Sequence, residues 1–402
     1  MNKRISIVTA LSLALGLTPV CAVESEQFNP AISLILDGRF SAYENETDYE
    51  LPGFMLGGEA GRGEEGFHLG HNELAISANV DDMFYGKMTA VIADHEGETE
   101  VELEEAYIET LALGNGLTVK GGRFFSAIGY LNQQHPHAWD FSDAPLIYRG
   151  LFGDQLRDDG LQISWVAPTE LYFKLGGEIT RGERFPAGGA SHDGAGASSL
   201  FAKIGGDIGE SQAWQVGLSH WQADIENRTS GGHHHDGGAH EIPTYTGDSR
   251  VSGIDFVWKW APQGNASERN LKLQGEYFIR DEEGKVIMDD GSVTPESTTY
   301  DGEQKGWYLQ AVYQFIPRWR AGLRYDRLDS DNRGSDQAVL AEAGLDNEGH
   351  TPERLTLMGD YSHSEYSRVR LQYTKDDSYE DTDNILTLQY IMSLGPHGAH
   401  QF

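Results

Sequence analysis

Apolar and polar residues alternate along this chain in runs of about ten, and the period is two, the spacing that puts successive side chains on opposite faces of a β-strand. In Lys305–Ile316 the residues Trp307, Leu309, Ala311, Tyr313 and Phe315 share one parity, while Tyr308, Gln310 and Gln314 share the other. Arg250–Ala261 sets Ile254, Phe256, Trp258 and Trp260 on one face. The last run, 385–402, carries Leu386, Leu388, Tyr390, Met392 and Leu394 in phase with the terminal Phe402. Counted from 29–43 onward there are about sixteen such runs, joined by connections that are alternately short and long. The pattern predicts an all-β chain, a 16-stranded antiparallel transmembrane β-barrel with long extracellular loops and short periplasmic turns. A water-soluble sandwich would turn polar outer faces to solvent, and these runs do the reverse.

A different element precedes them. Lys3 and Arg4, the apolar run Ile5 to Leu17 and the small-residue site Val20-Cys21-Ala22 are the parts of a cleaved export signal, predicted over residues 1–22, with the barrel over 23–402. No later apolar run approaches the roughly 18 residues of a helical span. The mean hydropathy of −0.48 is compatible with a barrel, because only alternate residues of each strand meet lipid. Cys21 is the single cysteine, so the exported chain is expected to hold neither a disulfide nor a thiolate metal site. Without Lys3 and Arg4 there remain 28 basic residues against 63 acidic ones, a net charge of −35. Such a charge repels nucleic acid and draws cations. The expected partners are outer-membrane lipid and small solutes or metal ions.

Candidate chemistry lies on the inward parity and in the loops. Lys174, Lys272, Arg320, Arg324, Arg368 and Arg370 each alternate with apolar neighbours, which points them into the lumen as a pore-lining set. The longest connection, about 126–156, is the predicted constriction loop and holds His135, His137, Asp140, Asp143 and Asp154. Carboxylates there, facing the basic wall, would create a transverse field; Asp140 and His137 could equally fix the loop to the wall. A His-rich extracellular loop is predicted over about 226–249. In it His233, His234, His235, Asp236 and His240 stand among glycines, a flexible donor set suited to zinc, copper or nickel, with His192 and Asp193 as further ligands. Zn(II) is thus expected as a transported or loop-bound ion, with no cofactor required. No nucleophile with an organised base stands out, so no enzymatic activity is expected.

With its alternating strands, its longest loop after the fifth strand and its terminal Phe402, the chain resembles the sixteen-stranded general porins. That resemblance implies a homotrimer in the bacterial outer membrane whose third loop folds inward. Glu104-Glu105-Ala106-Tyr107-Ile108-Glu109 and Gly121-Gly122-Arg123-Phe124-Phe125 are similar to segments of the phosphate-selective porin O and P group, although this chain is acidic where that group is basic. It also looks like His-rich proteins labelled zinc-regulated TonB-dependent outer membrane receptors, but no plug-sized domain is expected before the first strand. The function expected first is a porin favouring divalent cations such as zinc. An anion or small-organic-solute porin selected by the basic wall, and a non-conducting barrel that displays its loops, stand as alternatives.

Overall fold

The computed structural model describes residues 30–45, 51–57, 60–95, 98–188, 194–229, 242–289, 295–379 and 381–395. The predicted signal segment 1–22, the histidines at 192, 233–235, 240, 397 and 400, and Phe402 lie outside the described residues.

The strands are β1 (Ala31–Ala42), β2 (Gly66–Leu69), β3 (Asn72–Asn79), β4 (Phe84–His95), β5 (Glu98–Thr110), β6 (Leu117–Phe125), β7 (Arg157–Val166), β8 (Tyr172–Thr180) and β9 (Ala197–Ile208). They continue as β10 (Gln212–Thr229), β11 (Ile242–Trp260), β12 (Asn270–Asp289), β13 (Glu296–Ile316), β14 (Trp319–Arg333), β15 (Glu353–Ser364), β16 (Ser367–Asp377) and β17 (Asp383–Leu394). Neighbours pair antiparallel, and β1 closes the cylinder by pairing with β17 on one side and with both β2 and β3 on the other. Because β2 and β3 are two halves of one stave, the barrel has sixteen staves. Closure gives every strand a neighbour on both sides, the pairing that crossing lipid with strands requires, although β5 meets β6 over Ala106–Glu109 only.

The apolar parity faces outward, as predicted. Leu309, Tyr313 and Phe315 of β13, Leu323 of β14, Leu371 and Tyr373 of β16 and Leu386, Leu388 and Tyr390 of β17 are all exposed on the outer wall, while Tyr308, Gln310 and Gln389 are buried inside. This band is a lipid-facing surface of the outer-membrane type, bordered by aromatic pairs such as Trp307 with Tyr325 and Trp319 with Tyr361. Leu323→Arg, opposite Ala311 in the middle of the band, is expected to cost about 2–4 kcal/mol of folding free energy in lipid, read from urea titrations in bilayers.

Two expectations change. β10 to β13 run for 18, 19, 20 and 21 residues, about twice the ~9–11 needed to cross a membrane at a tilt. Residues 226–229 and 242–249 of the expected loop, and 281–289 and 296–304 of the acidic stretch, are therefore strand that projects past the membrane. There the outward positions turn polar, with Asp281, Glu283, Lys285 and Asp301 exposed, so the alternation of apolar residues fades while the ladder continues. The inner face is held by buried Arg228, Tyr245, Glu282 and Tyr300, with Val339 and Leu340 of the short helix α2 (Gln337–Glu342) beneath.

The second change is local. On β5 a bulge sets Thr89 opposite Glu105 and Ala90 opposite Leu103. Glu104 is the extra residue, the parity inverts, and Glu104 and Glu105 both point inward, where both are buried. Across β4, the break between β2 and β3 does the same: β1 pairs Gly38 with Leu69 and Ile35 with Glu73, so three residues face two. His71 and Glu73 thereby share the inner face. Gly70 is needed at that break, because a Cβ there would stand 2.4 Å from Arg39 Nε and 2.5 Å from Asp37 Oδ2.

Candidate functional site

The connection from β6 to β7, residues 126–156, turns into the barrel and crosses the lumen. It contains short 3-10 turns at Leu131–Gln133 and Pro136–Ala138 and the helix α1 (Leu146–Phe152), which stops at Gly153 in the left-handed conformation, φ 60°. α1 is buried nearly all round. Tyr148 and Phe152 pack edge-on to Phe278 of β12 at 5.7 and 5.1 Å between ring centres, and Phe54 from the connection between β1 and β2 joins the same apolar cluster. The upper lumen is thus filled by protein.

Wall charges of both signs hold this strap. Carboxylates accept from it. Glu276 accepts the backbone N–H of Tyr130 and Leu131 at 3.0 and 2.9 Å and the hydroxyls of Tyr148 and Tyr308 at 2.8 and 2.6 Å. Glu178 accepts the Ala127 N–H at 2.8 Å and the Ser126 hydroxyl at 2.5 Å. Gly129 passes so close that a Cβ would meet Glu276 Oε2 at 2.3 Å. Cations donate to it, among them Lys203 to the Gly129 carbonyl at 2.8 Å. Lys272 and Arg320 reach Asp140 at 2.8 and 3.0 Å, Arg324 and Arg354 reach Asp143 at 3.1 and 2.8 Å, and Arg368 and Arg370 donate to the carbonyls of His137 and Trp139.

The six basic residues expected to line an open pore all point inward. Five of them, Lys272, Arg320, Arg324, Arg368 and Arg370, are spent on the strap rather than on a water-filled wall, and Arg324 and Arg370 are buried. The transverse field expected between them and the loop carboxylates is correspondingly reduced to direct ion pairs. Lys174 alone of the six stands off the strap, 5.7 Å from the centre of the Phe201 ring.

Burial by itself would raise the Asp143 carboxyl, but Arg324, Arg354 and Arg149 outweigh it and hold it well below the usual carboxylate range. A depressed carboxyl contributes stability above its unfolded pKa of about 3.9 and loses it only as pH falls through the lower folded value. Conductance is therefore expected to stay flat from pH 8 down to about pH 4; a step near pH 5 in bilayer recordings would assign control to another group.

Where the strap begins, the two bulges meet it. His135 lies with Nδ1 2.9 Å from Glu104 Oε2 and 3.3 Å from Glu73 Oε2, and with Nε2 2.8 Å from Glu105. His137 Nδ1 is 2.7 Å from the other oxygen of Glu73, and His71 Nε2 is 3.0 Å from the other oxygen of Glu104. Burial would lower the His135 pKa, yet Glu73 and Glu104 push it up to about 10. His135 and His137 thus come together as the sequence suggested. Asp140 does not join them, being engaged by Lys272 and Arg320. Glu73, Glu104, Glu178, Glu276, Lys203 and Arg354 were missed; their one sequence signal is a charge on the inward parity, and at Glu104 the bulge hides even that.

Beside the strap a polar cavity of about 100 Å³ remains against β1, β16 and β17. Its lining includes Arg39, Arg62, Arg149 and Arg354 together with Asp143, Asp376, Asp381 and Asp383.

No protein-family model matches the chain. An uncharacterized protein of Aquifex aeolicus (strain VF5) is 30% identical to it over 432 residues, covering all of this chain and 86% of that protein. The chain belongs to the family of that Aquifex protein. Among solved structures it is similar to the outer membrane channel DcaP of Acinetobacter baumannii, with TM-score 0.53, 13% identity, and 91% of this chain and 96% of that one covered. OmpT, an outer membrane protein of Vibrio cholerae, aligns with TM-score 0.53 at 10% identity over 91% and 97% of the two chains. An anion-selective porin from Comamonas acidovorans aligns with TM-score 0.51 at 12% identity over 91% and 99%. At these identities the likeness is one of fold, the sixteen-stranded outer-membrane barrel, and this Aquifex-family chain shares it.

Proposed function

We propose that the protein is an outer-membrane channel for small hydrophilic solutes, narrowed by the 126–156 strap to the passage beside it. The observation that carries this reading is the lining of that passage, four guanidinium groups and four carboxylates with polar side chains between them. Opposed charges in equal number favour a solute with a dipole, such as a small zwitterion, over a simple ion of either sign. The similarity to the DcaP channel and to an anion-selective porin supports conduction as the general role. One solved form of OmpT is a trimer, and we propose the same assembly here.

The preference for divalent cations such as zinc read from the sequence is kept as a finer proposal. It rests on the net charge of −33 and on His233, His234, His235, Asp236 and His240. Replacing those four histidines with alanine is expected to leave a folded barrel, since closed strand pairing sets its stability, and to lower zinc uptake in titration calorimetry.

Single-channel recording in planar bilayers tests the main reading. A small conductance with a reversal potential near zero in a KCl gradient is expected. The packed upper lumen favours one competitor, a barrel that only displays its loops, and silence from both the native protein and a strap-released variant would establish that competitor instead.

A further inference from the structure

We propose that Glu73 Oε2, Glu104 Oε2 and His135 Nδ1 form a three-ligand site for one divalent transition-metal ion of the zinc class, which clamps the strap to the wall at β3 and β5. The three ligand atoms lie within 4.8 Å of one another. Ligands held 2.0–2.2 Å from a tetrahedral ion stand roughly 3.3–3.6 Å apart, and His135 Nδ1 is 3.3 Å from Glu73 and 2.9 Å from Glu104.

Each ligand has one atom braced and one aimed at the common point. Glu73 Oε1 accepts from His137 at 2.7 Å, Glu104 Oε1 accepts from Arg157 at 3.4 Å with His71 Nε2 3.0 Å away, and His135 Nε2 donates to Glu105 at 2.8 Å. A carboxylate accepting the far N–H of an imidazole fixes the tautomer whose other nitrogen carries the lone pair, the usual second shell of a metal-bound histidine. Lys87 anchors that carboxylate at 2.6 Å and also lies 3.0 Å from Nε2.

The independent sign of a ligand is at the centre. Glu104 is fully buried, yet its Oε2 makes no hydrogen bond of acceptable geometry, and neither does His135 Nδ1, although the two atoms are 2.9 Å apart. A protonated His135 would balance the charge but leave both atoms misaligned; an ion between them satisfies both. Two carboxylates and one imidazole suit zinc, cobalt or nickel, with a fourth position open to the lumen. The proposal uses none of the residues His233–His240 and does not depend on whether the barrel conducts.

The test uses the full chain refolded in detergent with His233, His234, His235 and His240 replaced by alanine, then dialysed against Zn(II) or Co(II) alone. One equivalent of metal per chain is expected to be retained, with a visible Co(II) absorption of the imidazole–carboxylate type. In that background Glu104→Gln should weaken retention by about 100-fold or more, and Glu105→Gln, which touches only the second shell, by about 10- to 100-fold. No retained metal in the background protein, or equal retention after Glu104→Gln and His135→Gln, would overturn the proposal. Should Glu104→Gln fail to refold, the background protein decides alone: one equivalent with that spectrum supports the clamp, and weak, featureless uptake sinks it.

Discussion

Alanine at both Asp143 and Glu276 is expected to open the barrel, raising single-channel conductance several-fold while the cylinder stays folded. Asp143 of the strap holds Arg324 and Arg354, and Glu276 of the wall accepts four hydrogen bonds, three of them from the strap. Removing Asp143 takes one carboxylate from each guanidinium, Arg324 keeping Asp326 and Arg354 keeping Asp376, a loss of about 1.5–3 kcal/mol per charge-assisted hydrogen bond. Removing Glu276 strands two backbone N–H groups and two tyrosine hydroxyls, at about 1–3 kcal/mol for each donor left dry. Those groups recover partners only in water, so the strap should leave the wall and let water in. The strand ladder contains neither carboxylate and should retain its resistance to unfolding in detergent. Unchanged conductance in the double variant would mean that apolar packing of Leu146, Phe152 and Phe278 holds the strap without help from charge.

The second large effect is expected beyond the membrane. Arg228 donates through both terminal nitrogens to Glu282 at 2.6 and 3.0 Å, Ser249 adds its hydroxyl at 2.8 Å, and Arg280 stands 3.6 Å away. Both partners of the main pair are 1% exposed. Glu282→Ala leaves two buried guanidinium groups facing each other and should destabilise the projecting parts of β10 to β13 by about 3–5 kcal/mol. The membrane band below lacks this pair and should survive, so limited proteolysis should cut within 226–249 and 281–304 while the remaining barrel resists. Replacing the pair together, as Arg228→Met with Glu282→Leu, should restore most of the protection, because a buried ion pair exchanged for apolar groups of similar size is often neutral. Equal sensitivity of both variants would place the strength of this region in its tyrosines, Tyr245 and Tyr300, whose rings meet at 5.5 Å.

The inward parity of Lys272, Arg320, Arg324, Arg368 and Arg370 was legible in the sequence, and so was the identity of 126–156 as the connection that matters. Their use was not. Asp143 meets Arg354 across 211 positions and Gln372 across 229, and no local pattern says which of several inward charges a folded-in loop will reach. The lengths of β10 to β13 escaped for another reason: outside lipid nothing requires an apolar outer face, so a strand there loses the alternation by which it was recognised.

By itself, then, the chain determined the two-residue period, the lipid face, the count of staves and the place of the long connection, because a bilayer demands a continuous outer band and a closed hydrogen-bond ladder whatever lies within. The tertiary structure decided what fills the lumen. Two bulges inverted the parity at Glu104 and His71, and closure of the cylinder brought β3 and β5 against the strap. Only there do Glu73, Glu104 and His135 meet, since a one-residue shift of register turns a side chain from lipid to lumen and the sequence carries no mark of that shift.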